Sequence, residues 1–163
     1  MFKYQEAILK NMKNRLEKFL AYKENKDLPY GGIVKNGNYI IADGISLMCI
    51  YGNKDKLIET QDPALQDCIN AIFDFIIESY DKKNDAEYQE FNIKDLDLTA
   101  KEKKIKIGNT WLNKSFLKDC IKMTGGTSIN VNMQDSKKPT CVYGKKGFAF
   151  LLPICDANLE KNT

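Results

Sequence analysis

Histidine is absent from this chain, and arginine nearly so: of 25 basic residues only Arg15 is an arginine. Without imidazole the commonest general base is gone, together with Ser-His and Cys-His nucleophile pairs and most zinc and iron sites. With one guanidinium, bidentate reading of guanine or of carboxylates is almost closed off. Lysines remain, and they meet phosphates as point charges without sequence preference. No apolar run approaches the ~18 residues of a membrane span, and Met1-Phe2-Lys3-Tyr4-Gln5-Glu6 lacks a signal-peptide core. A cytoplasmic protein without a membrane role is therefore expected. The five cysteines (Cys49, Cys68, Cys120, Cys141, Cys155) are scattered and form no Cys-x-x-Cys pair. That fits small buried thiols in a reducing compartment better than disulfides or zinc. No nucleophile–base pair or metal cluster can be assembled, so neither enzymatic activity nor a cofactor is expected.

What is present supports one folded unit. A chain of 163 residues buries roughly 70% of its unfolded surface, and 43% apolar against 29% charged residues supplies a core and solubility. The net charge of +3 is unevenly spread. Residues 55–97 carry twelve acidic residues against four lysines, a balance of −8, so the remainder carries +11. A basic body holds an acidic segment.

In chain order, Ile8, Leu9, Met12, Leu16, Phe19 and Leu20 recur at helical spacing, which predicts a helix over 4–20. Phe2-Lys3-Tyr4 reads as a short strand before it. Strands are expected over 31–35 and 38–42, joined at Asn36-Gly37, and over 45–51 after the Asp43-Gly44 turn. Asp62-Pro63 opens a helix to about residue 80, whose apolar stripe is wide enough to meet something beyond its own sheet. Residues 81–102 read as a charged, irregular loop. A strand over 103–108 follows, then a helix capped by Asn113 and stopped at Gly125-Gly126. On it Lys114, Lys118 and Lys122 share one stripe. Strands over 127–133, 139–143 and 147–154 close the chain. The last pair turns at Gly144-Lys145-Lys146-Gly147, with permissive backbone at both corners. Phe148 to Leu152 is apolar at every position and ends at Pro153, so this strand needs cover on both faces. The order is β-α-β-β-β, an acidic helix, then β-α-β-β-β. The reading is thus an α+β fold with a duplicated plan: one domain over 1–155, an insertion at 55–102 and a tail at 156–163.

Three stretches carry a family resemblance: Gly32 through Leu47 with its Asp43-Gly44 turn, Trp111-Leu112-Asn113-Lys114-Ser115-Phe116-Leu117-Lys118-Asp119, and Phe148-Ala149-Phe150-Leu151-Leu152-Pro153-Ile154. Together the plan resembles one domain of the bacterial DNA sliding clamp, the polymerase processivity factor. Ala42 stands where the family has threonine, Ile45-Ser46 replace its usual basic pair, and the acidic helix has no counterpart. The resemblance implies a non-enzymatic, DNA-associated factor that binds duplex DNA without sequence preference, through Lys10, Lys13, Lys114, Lys118 and Lys122. It also implies a groove for a polymerase or loader peptide, bounded by Gly44, Leu47, Phe150, Leu152, Pro153 and Ile154, and a homo-oligomer if a ring is to close.

Plainer readings stand beside these. A lysine stripe is what a solvated helix face looks like, an apolar run is first a buried strand, and Asp-Gly and Asn-Gly are first turns. Asp95-Leu96-Asp97 reads as a solvated loop before a cation site. Trp111 reads as a core residue beside the helix start. A second functional class also remains: a protein-interaction module without nucleic-acid binding, using the acidic helix and the closing strand.

Overall fold

The periodic apolar residues near the N-terminus form helix α1 (Lys3–Phe19) and decide which side it buries. Ile8, Leu9, Met12 and Leu16 are inside, while Lys10 and Asn14 face solvent. The computed structural model describes residues 2–19, 23, 27–28, 30–81 and 87–155. The short strand expected at the N-terminus does not form. The Phe2 amide donates to Gln5 Oε1 at 3.0 Å, and the Gln5 and Glu6 amides donate to Phe2 O. The first turn is thereby capped and helical from Lys3. The expected tail at 156–163 lies outside the described residues.

Strands β1 (Ile33–Lys35), β2 (Asn38–Ala42) and β3 (Ser46–Ile50) follow as an antiparallel meander. Asn36 and Gly37 have φ of 53° and 79°, the left-handed pair that a two-residue hairpin with native twist requires. Helix α2 (Pro63–Asp81) starts where Asp62 Oδ1 accepts the Ala64 amide at 3.1 Å. The segment read as an irregular loop contains strand β4 (Tyr88–Asn92) and a 3₁₀ turn over Ile93–Asp95. Strand β4 is an exposed edge, and its place comes from pairing with β7, Phe91 opposite Ile129. A separate ribbon of β5 (Lys104–Ile107) and β6 (Thr110–Asn113) turns at Gly108, where φ is 60°. Helix α3 (Lys114–Thr124) is capped by Asn113 Oδ1, which accepts the Phe116 amide at 3.1 Å, and ends on left-handed Gly125. Strands β7 (Gly126–Asn132), β8 (Thr140–Gly144) and β9 (Gly147–Leu151) complete the chain.

The main sheet is seven-stranded and antiparallel, ordered β1-β2-β3-β9-β8-β7-β4. At its centre β3 pairs with β9, Met48 opposite Ala149. On one side of that seam runs β1-β2-β3, and on the other the same order mirrored, β9-β8-β7. Helices α1 and α3, each preceding one of these triplets, bury Met12, Leu117 and Cys120 on the face that carries Met48, Val142 and Ala149. Helix α2 covers the opposite face, where Leu65, Ile69 and Ile76 meet Leu47, Cys49, Cys141 and Phe150. The arrangement has three layers, with the main sheet between helices. The closing strand is therefore covered on both faces by its own chain. Among the described residues no helix is long and apolar enough to cross a membrane.

Candidate functional site

The layers sort charge by side. Helix α1 carries five basic and two acidic residues, α3 three basic and one acidic, and α2 four acidic and none basic. The face bearing α1 and α3 is thus the positive side of the molecule. Lys10, Lys118 and Lys122 are exposed there and Lys13 is half-buried. Lys114 departs from the expected stripe. It is only 5% exposed, and its Nζ donates to Ala100 O at 2.8 Å, because the side chain of the first helical residue folds back over the 100–103 loop instead of pointing outward. The lysines of α3 that remain at the surface are Lys118 and Lys122.

The two helices are held together by the single arginine. Arg15 Nε donates to Asp43 Oδ2 at 2.7 Å, and its Cζ sits 4.3 Å from the centre of the Phe116 ring. Asp43 is buried, and its Oδ1 accepts the Ile45 and Ser46 amides at 2.7 Å each and the Ser46 hydroxyl at 3.3 Å. The Asp-Gly turn is therefore fastened to α1. Asp119 on α3 is half-buried, and desolvation pushes its carboxyl above the ordinary range, although Arg15 and Lys122 pull the other way.

On the negative side, an apolar groove of about 290 Å³ runs between the Asp43-Gly44-Ile45 turn, Leu152 and the Ala71, Ile72 and Phe75 side of α2. Phe75 is 71% exposed, an unusual setting for a large aromatic ring. Of the residues expected to bound a peptide groove, Gly44 and Leu152 are brought together here. Leu47 and Phe150 are not available to a ligand: both lie under α2 in the core. That is the correction α2 imposes, since it occupies the sheet face on which those side chains point. Pro153 and Ile154 are half-buried, and the Ile154 amide donates to Trp111 O at 2.8 Å, tying the chain after β9 to the β5–β6 ribbon. Of the α2 residues here only Ile72 belongs to the apolar stripe read from the sequence; Ala71 and Phe75 lie outside it and carried no sequence signal.

Other candidates resolve as local structure. Asp97 Oδ1 accepts the Thr99 amide and hydroxyl and the Ala100 amide, and no group of metal-ligating side chains occurs among the described residues. Trp111 is half-buried. Burial pushes the Cys49 thiol up to about 11 and that of Cys141 to about 12, so both are inert at neutral pH. No protein family, curated protein or solved structure matches this chain.

Proposed function

We propose that this chain is a non-enzymatic, clamp-like, DNA-associated factor whose α1–α3 face lies along duplex DNA through phosphate contacts and whose opposite side recruits replication proteins. One observation carries the reading. Two helices, each leading into one of two mirrored three-strand units, share one sheet face with lysines outward, while the acidic helix is confined to the other face. In this reading the mirrored order around the β3–β9 seam reflects a duplicated unit. The exposed residues that contact phosphate are Lys10, Lys118 and Lys122, with Lys13 beside them. The apolar groove at Gly44, Leu152 and Phe75 takes an apolar segment of a polymerase or loader. Encirclement of a duplex requires several copies.

The test is anisotropy of a labelled duplex between 50 and 200 mM salt. Wild type is expected to bind at low salt without preference between unrelated sequences. Each lysine removed among Lys10→Ala, Lys118→Ala and Lys122→Ala is expected to reduce the slope of log K against log salt by about 0.9. No duplex binding by the wild-type protein at low salt overturns the reading. Light scattering on the same samples tests assembly: a monomer at all concentrations excludes a homomeric ring. The exposure of Phe75 favours a second reading, an interaction module without nucleic-acid binding. It replaces the first if duplex is not bound while a Phe75→Ser variant loses a protein partner that wild type retains.

A further inference from the structure

At the start of α3 three sources of positive potential converge on one cleft. The dipole of a helix makes its first turn the positive end, although in α3 the Lys114 amide donates to Lys103 O at 3.0 Å and the Phe116 amide to Asn113 Oδ1 at 3.1 Å, and the helix opens with a lysine where an acid is the favourable choice. That lysine, Lys114, is 5% exposed and gives its ammonium one neutral acceptor, Ala100 O. Two of its three N–H groups thus have no hydrogen-bond acceptor among the described residues. Lys118 stands one helical turn further on, a like-charge spacing that works against the helix. Lys101 and Lys103 form the other wall, against one acid, Glu102, around a cavity of about 420 Å³. Asp97 is a weak counterweight. Its carboxyl is held below the ordinary range chiefly by the Thr99 hydroxyl and amide, with Lys114 the smallest of the contributors. A buried ammonium with only a weak counter-charge is costly, and here three more cations surround it.

We infer that this cleft is a phosphate-binding site, seating one phosphate group against the first turn of α3, with Lys114 at its floor and Lys101, Lys103 and Lys118 at its rim. The inference deepens the duplex reading and rests on it only for the source of the phosphate, a strand of DNA as against free phosphate. A tetrahedral anion with several acceptor oxygens suits donors arriving from two walls and a floor.

The experiment compares thermal unfolding of the full chain in sodium phosphate and in sodium chloride of equal ionic strength, beside duplex binding. The variants are Lys101→Ala/Lys103→Ala/Lys118→Ala and, separately, Lys114→Met. The triple variant alters only exposed side chains, so it reports even if Lys114→Met fails to fold, and it also measures the general salting effect of phosphate. Wild type is expected to show a saturable rise in Tm in phosphate over chloride that the triple variant loses. If duplex is the source, a Lys103→Ala single variant also lowers the salt slope by about 0.9. Phosphate stabilisation without duplex binding supports the cleft as a free-phosphate site and removes the duplex reading. Equal Tm in phosphate and chloride, or a rise that the triple variant retains, overturns the cleft. Duplex binding with a slope unchanged by Lys103→Ala, together with equal Tm values, overturns the cleft and leaves the duplex reading standing.

Discussion

Asp43 is the residue on which most of the local geometry turns. Its carboxylate is buried, accepts three hydrogen bonds from its own turn and one from Arg15, and so joins the β2–β3 turn to α1. Asp43→Ala strands the Arg15 guanidinium and two turn amides, and is expected to cost ~3–5 kcal/mol, read from urea denaturation. Asp119 behaves oppositely. Burial raises its carboxyl above the ordinary value of 3.8, so the folded state holds the proton more tightly than the unfolded chain does. The stability linked to that group is complete below the unfolded value and is lost as pH rises through the folded one. Asp119→Asn is therefore expected to raise Tm relative to wild type at pH 7, with the difference fading as pH falls below 3.8, checked by melting across that range. The Asp43-Gly44 and Asn36-Gly37 turns were legible because their chemistry is local. Gly144 and Gly147 were legible as special, but for another reason. A Cβ at Gly147 would stand 1.9 Å from Cys49 O, and one at Gly144 would stand 2.1 Å from Gly125 O, so close approach and not backbone freedom demands glycine. Only the tertiary neighbours reveal that.

Helix α2 decides the fate of the surfaces around it. Its inner side seals Leu47 and Phe150, and its outer edge leaves Phe75 beside the groove. The two phenylalanines should thus separate cleanly. Phe150→Ala is expected to cost ~3–5 kcal/mol through the cavity it opens, whereas Phe75→Ser should leave stability within ~0.5 kcal/mol, both from denaturant midpoints at constant slope. A Phe75→Ser loss as large as that of Phe150→Ala would mean the ring is part of the core. Helices and their caps were readable from apolar spacing and from Asp62 and Asn113, which act within three residues of their own position. Strand β4 was not. Its exposed Gln89, Glu90 and Asn92 give no alternation to detect, and it exists because β7 offers a ladder. Strand β6 was hidden for a related reason: four residues running directly into a helix cap leave no room for a pattern.

At the scale of the molecule, the segregation of charge along the sequence becomes segregation between layers, with α2 on one face and α1 and α3 on the other. The acidic block was visible as composition. The face it would occupy was not, because which side of a sheet an inserted helix covers depends on the side chains of strands far away, here Leu47, Cys141 and Phe150. Within the sheet the mirrored halves are joined by the pairing of β3 with β9, Ser46 opposite Leu151. A chain ending at Gly144 lacks β9 and parts β3 from β8. It is expected to be unfolded by circular dichroism, since a single missing strand removes the middle of the sheet. Synthesis on the ribosome meets the same constraint. Strands β1 to β8 are all made before the keystone that joins them, so the nascent chain must carry two unjoined half-sheets, each with a naked inner edge, until its final strand emerges. Pausing of translation within that window would expose both edges to neighbouring chains, and the protection that chaperones give to such edges would matter more for this protein than its modest size suggests.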